Sequence, residues 1–77
     1  MPTIDVVGPY RVFFYSNEGR EAPHVHAQRE SMLAKFWLQP VALAASRGFP
    51  AHELRGIEEI VSDRQAKYLE AWHEHFA

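Results

Sequence analysis

The sequence predicts an α+β domain: a three- to four-stranded antiparallel sheet, built as a meander, with one or two C-terminal helices packed on one face. Three observations carry this. Residues 10–38 hold short apolar stretches that alternate with a period of two and are separated by polar turn clusters. From residue 50 the apolar period changes to about 100° per residue, that of an amphipathic helix. The chain has 77 residues, enough for a single domain over 1–77, with the sheet in 1–45 and the helical region in 50–76.

Residues 1–9 carry Ile4, Val6 and Val7 before the Gly8-Pro9 break, which suits a short edge strand. Tyr10, Val12, Phe13, Phe14 and Tyr15 form an aromatic and β-branched strand. Residues 16–19, Ser-Asn-Glu-Gly, make a turn. The next strand begins after Pro23, where a missing amide donor is tolerated. In it His24 and His26 alternate with Val25 and Ala27. After the polar reversal at residues 29–31, residues 32–38 alternate again and stop at Gln39-Pro40. Residues 41–45 are ambiguous: Val41 and Leu43 alternate while the alanines favour helix, and a short strand or irregular segment is the reading. Residues 46–48 read as a linker.

In the last third, Leu54, Ile57, Val61, Tyr68, Leu69, Trp72 and Phe76 share one helical face. Trp72 is therefore expected in the core. Pro50 suits a first helical turn. Ser62 and Gln65 fit a capping box, S-x-x-Q, so two helices broken near Ser62 are favoured over one.

Composition narrows the classes. Hydrophobic residues make up 47% and aromatics 13%, too apolar for a disordered segment. There is no cysteine, which excludes disulfides and thiolate chemistry. A chain this short buries only roughly 60% of its unfolded surface, and small domains often gain stability from a metal or a partner. The net charge of −2 argues against a generic polyanion binder. No apolar run approaches the roughly 20 residues of a membrane helix. With no signal peptide apparent, a cytoplasmic protein is the expectation.

The alternation assigns two faces. Val12, Phe14, Val25, Ala27, Ala34, Phe36 and Leu38 are apolar without exception and belong under the helices. The opposite face then carries Arg11, Phe13, Tyr15, His24, His26, Gln28, Lys35 and Trp37. Helices on one side often leave the other side of a small sheet open. An aromatic and basic face of that kind suits binding.

His24 and His26 are the candidate catalytic and metal-ligating residues. Two apart on a strand, their Cα atoms lie roughly 6.6 Å apart and both rings reach one point above the sheet. A divalent metal is one use, with a third ligand from His52, His75, Glu18 or Glu21. Phosphodiester cleavage is another, one imidazole as base and one as acid, with Arg11 or Lys35 stabilising charge. A surface that stacks on bases or partner side chains, with Trp37 as platform, is a third. The plain structural alternative is a hydrogen-bonded pair that holds a neighbouring loop. His73 and His75 sit two apart on a helix and point in nearly opposite directions. They suit the helix C-terminal dipole. His52 is expected in solvent. Thr3, Ser16 and Ser31 lie in no nucleophile motif, and no glycine-rich phosphate loop is present.

Met1-Pro2-Thr3-Ile4, Gly8, Ala22-Pro23-His24-Val25-His26-Ala27 after an aromatic strand, and apolar C-terminal helices reaching Trp72 are together similar to a small bacterial family. It is catalogued as domain of unknown function number four-one-six-zero. The likeness covers nearly the whole chain, and Pro-His-x-His-Ala is its most specific part. Many members have two prolines before the first histidine, where this chain has Ala22-Pro23. The resemblance implies a component of a two-protein, toxin–antitoxin-like module, a small protein partner encoded beside it, and a nucleic-acid target as a further expectation. It supplies no catalytic residue.

Overall fold

The computed structural model describes residues 3–77; Met1 and Pro2, half of the opening tetrapeptide, lie outside the described residues. Five strands are followed by two helices: β1 (Thr3–Val7), β2 (Tyr10–Phe13), β3 (His24–Arg29), β4 (Met32–Leu38), β5 (Val41–Arg47), α1 (Ala51–Asp63) and α2 (Gln65–His75). The strands pair antiparallel in sequence order, β1-β2-β3-β4-β5. The meander is as expected, but the sheet has five strands rather than three or four.

The extra strand comes from residues 41–47. Val41, Ala42 and Leu43 pair with Leu38, Trp37 and Phe36, and the ladder continues to Arg47 opposite Leu33, across a register shift between Lys35 and Phe36. Pairing against a formed β4 outweighs the modest helix preference of three alanines. Residues 46 and 47 are thus strand, not linker. The β4–β5 turn holds a cis Gln39–Pro40 bond.

The face under the helices is as the alternation predicts. Val12, Val25, Ala27, Ala34, Phe36 and Leu38 form one buried cluster with Phe49, Ile57, Val61 and Tyr68. Leu54 and Leu69 pack against it, half-buried. Phe14, one residue past β2, is buried against Trp72 and Phe76, with ring centroids 5.3 and 5.5 Å away.

The helices do break, though not by a serine cap. Ser62 lies inside α1, and Arg64 (φ −111°, ψ 16°) both ends α1 and starts α2, with no side-chain cap at the start of α2. The Arg64 amide donates to the Ile60 and Val61 carbonyls. The Gln65 side chain, the other half of the expected box, donates to the Leu38 carbonyl and ties α2 to the end of β4. Pro50 stands at the N-cap position of α1, just before its first turn.

Two ion-pair clusters fix the helices on the sheet. Arg29 donates from Nε and Nη2 to the two Glu53 oxygens, each at 2.7 Å, and the Tyr10 hydroxyl donates to Glu53 Oε2 at 2.7 Å. These contacts hold Glu53 down at about 2, well below the usual 4.5. On β1, the Asp5 carboxylate accepts from the Tyr68 hydroxyl at 2.8 Å and lies beside Arg64 and Lys67 of α2. Burial opposes the ionised form of Asp5, but the Tyr68 hydroxyl, the Lys67 ammonium and the Val6 amide outweigh it and lower its pKa.

Candidate functional site

The residues of the face away from the helices divide into two groups. Arg11, Gln28, Lys35 and Trp37 are half-buried and Tyr15 is exposed. Phe13, His24 and His26 are buried, with His24 completely inaccessible. An open histidine face is therefore not what the chain builds. Residues 14–23 fold back over this end of the sheet, and the last turns of α2 close its edge.

Local chemistry explains the fold-back. The Glu18 amide donates to the Tyr15 carbonyl, and the Tyr15 amide donates to Glu18 Oε1 at 2.9 Å. The Glu21 amide then donates to the Glu18 carbonyl. This pair of tight turns aims the Glu18 carboxylate at β3. Gly19 allows the loop to lie against α2: a Cβ there would stand 2.6 Å from Phe76 Cδ1. Lys35 reaches across to Glu21 at 2.6 Å and pins the far side of the loop.

Beneath the loop the rings pack as a layer. Phe13 stacks on His26 (5.3 Å, 23°), and Tyr15 meets the same imidazole at 5.0 Å. His24 stands perpendicular to His26 at 5.2 Å. Trp72 lies 4.9 Å from His24 and Trp37 5.7 Å from it. Trp72 is core as predicted, and it also walls the histidine site. Arg11 lies over Phe13 at 4.4 Å and donates to Gln28 and Thr3, while the Lys35 ammonium lies 4.6 Å over Trp37.

Three potential ligands converge: Glu18, His24 and His26, with donor atoms all within 4.8 Å of one another. His24 Nε2 is 3.0 Å from Glu18 Oε1, and His26 Nε2 is 3.2 and 3.3 Å from the two Glu18 oxygens. His24 Nδ1 lies 2.9 Å from the Ala22 carbonyl oxygen. A carbonyl only accepts, so Nδ1 carries the proton in that bond. His24 Nε2 has the carboxylate close by, but off the line a hydrogen bond needs, and so has no hydrogen-bond partner; His26 Nδ1, also buried, has none either.

The electrostatics follow from burial. Desolvation lowers the His26 pKa below 6.5, against the pull of Glu18, with His24 and Lys35 adding to the lowering. For Glu18, burial favours the neutral acid, yet the Tyr15 amide and the two histidines prevail and lower it.

Of the expected third ligands, Glu18 joins the pair. Glu21 is engaged by Lys35, and His52 and His75 are exposed on the helices. His73 is exposed as well. For acid–base cleavage the geometry is unfavourable, because a substrate atom cannot touch His24 without displacing the loop. The structural alternative, a histidine pair that holds a neighbouring loop, is met at His24 Nδ1 and Ala22, but that the loop roofs the rings was not legible in the sequence. The signal available was Glu18 within a turn six residues before the first histidine.

Beside the site, on the open half of the sheet, His26, Leu33, Ala34, Lys35, Ala45, Ser46 and Arg47 line a groove of about 210 Å³. Among the described residues no helix is long and apolar enough to cross a membrane.

No curated protein and no solved structure matched the chain. One family model matches residues 10–73, from the first residue of β2 almost to the end of α2, and so spans the loop, all three converging residues and the groove. The chain therefore belongs to the family described as Domain of unknown function (DUF4160).

Proposed function

We propose that the chain is a small binding module for a protein partner, as in a two-protein, toxin–antitoxin-like system, and that its working surface is the open half of the sheet over β4 and β5. The observation that carries this is the groove itself. Leu33 and Ala45 give it apolar walls, and Arg47 places a cation on its rim beside the Lys35–Glu21 pair, in a chain whose net charge is −2. Leu33 is half-buried, and Ala45 and Arg47 are exposed. Apolar walls with a cationic rim suit a partner segment that is apolar in the middle and acidic at its ends. His24 and His26 then serve as a buried support under the loop rather than as the contact surface.

A second reading, a small metal-dependent enzyme, has the convergence of Glu18, His24 and His26 in its favour. Its difficulty is access, since the site is roofed by Tyr15 and Glu18.

Co-expression with the small protein that the family resemblance places beside this one tests the first reading. The two chains should co-elute. Leu33→Asp with Arg47→Glu should abolish co-elution while the melting temperature stays close to wild type. Co-elution that survives this pair would remove the groove from the function. RNA cleavage lost on changing His24 would favour the enzyme.

A further inference from the structure

We propose that Glu18, His24 and His26 bind one divalent transition-metal ion of the zinc type, and that the ion clamps the β2–β3 loop onto the sheet.

Two of the three donor separations are already those of a bound ion, and all three donor atoms lie within 4.8 Å of one another. Ligand atoms about 2.0–2.1 Å from a tetrahedral ion stand about 3.3 Å from each other. Glu18 Oε1 lies 3.0 Å from His24 Nε2 and 3.2 Å from His26 Nε2. An ion can therefore be received with small side-chain movements.

The hydrogen-bond pattern points the same way. The Ala22 carbonyl holds the His24 proton on Nδ1. That leaves Nε2 as the ring nitrogen directed into the cluster, the arrangement that outer hydrogen bonds impose on metal-bound histidines. His24 is fully buried, and its Nε2 has no hydrogen-bond partner although a carboxylate oxygen lies 3.0 Å away. A cation placed there would be bound by the nitrogen and the carboxylate oxygen together. The orphaned His26 Nδ1 is unpaired with or without an ion, so it does not bear on the choice.

The donor set selects the class of ion. Two imidazole nitrogens and one carboxylate oxygen suit zinc, cobalt, nickel or copper. Magnesium and calcium prefer all-oxygen shells and are disfavoured. Three protein ligands leave a fourth position, and Glu18 keeps 15% of its side chain exposed, so a water can complete the shell from the loop side.

The role follows from the elements joined. His24 and His26 belong to β3, whereas Glu18 belongs to the loop. An ion at their meeting point crosslinks the loop to the sheet, in a chain with no cysteine to do so.

The test uses the full chain, stripped with chelator and dialysed. Titration with zinc should show one site per chain, and cobalt should give the visible absorption bands of a tetrahedral N/O complex. Zinc should raise the melting temperature, and chelator should reverse the rise. Glu18→Gln should weaken zinc binding at least tenfold, whereas His73→Ala with His75→Ala should leave it unchanged. Should Glu18→Gln fail to fold, imidazole nitrogen NMR on wild type decides: the signals of His24 and His26 should move on zinc addition. Absence of one-to-one uptake overturns the proposal. So does uptake that moves only the signals of His52, His73 or His75, or that survives intact in folded Glu18→Gln.

Discussion

Arg29 grips Glu53 with a two-pronged contact, Nε to Oε2 and Nη2 to Oε1, both at 2.7 Å. It joins the end of β3 to the first turn of α1. Tyr10 adds a third donor from β2, so one carboxylate ties two strands to a helix. Planar guanidinium and carboxylate groups meet best in this geometry.

The contact sets an acid response. The folded pKa of Glu53 is about 2, against 4.5 for the free group, so the unfolded chain binds the proton more readily. Its stabilising contribution is complete above about pH 4.5 and is lost as pH falls through the window down to about 2. Glu53→Gln should lower the melting temperature at pH 7 and flatten its dependence across that window. Melts of the variant that fall as steeply as wild type would assign the acid response to other carboxylates, such as Asp5.

Trp72 is 4% exposed and sits against Phe14, Phe76 and His24. Trp72→Ala should cost about 3–5 kcal/mol by urea titration. A domain of this size has little more than that to lose, so the expected result is a largely unfolded chain at room temperature. A midpoint near wild type would mean that α2 packs in another phase.

The helix break gives a prediction of opposite signs. Ser62 is exposed inside α1 and caps nothing. Ser62→Ala should be neutral or stabilise by up to about 0.5 kcal/mol, since alanine is the better helix former. Gln65→Ala removes the donor to the Leu38 carbonyl and should destabilise by about 1 kcal/mol. The reverse order of midpoints would restore the capping box.

These outcomes show which parts of the sequence were readable. Period-two alternation in Val12, Val25, Ala27, Ala34, Phe36 and Leu38 identified the core face, because burial on one side of a strand leaves that mark. The stripe from Leu54 to Trp72 identified the helices for the same reason. Residues 41–47 were less legible, since an alanine-rich edge strand is decided by its neighbour and not by its own preferences. The capping box misled because the Gln65 side chain is used in a tertiary contact that no local pattern records. The site was half legible. Alternation paired His24 with His26, but their burial depends on how residues 14–23 fold back, and that is fixed by Glu18, Lys35 and Phe76 together.

Gly19 and Phe76 offer a direct probe of that fold-back. A methyl group at residue 19 would stand 2.6 Å from the Phe76 ring, which is itself held against Trp72 and Phe14. Gly19→Ala should cost about 1–3 kcal/mol, the range for overpacking. In a Phe76→Ala background the same change should cost close to nothing, because the obstructing ring is gone. Equal costs in both backgrounds would mean that the loop does not rest on α2.

The last prediction concerns the histidines as packing elements. On an open face, changing both to alanine would leave the fold intact. The structure leads to the other expectation. His24 is fully buried and His26 is 6% exposed. Their rings fill the space between Phe13, Tyr15, Trp37 and Trp72. Removing both leaves cavities under the loop and strands the Glu18 carboxylate, so the double variant should lose about 3 kcal/mol or more even with chelator present throughout. His26→Ala alone should also expose Tyr15 and Phe13, which intrinsic fluorescence and dye binding can follow. If the double variant in chelator melts with wild type in chelator, the loop does not cover the histidines, and the ring layer described above is wrong. If it melts lower, burial is established independently of any metal, and the added effect of zinc on wild type measures the ion's own share.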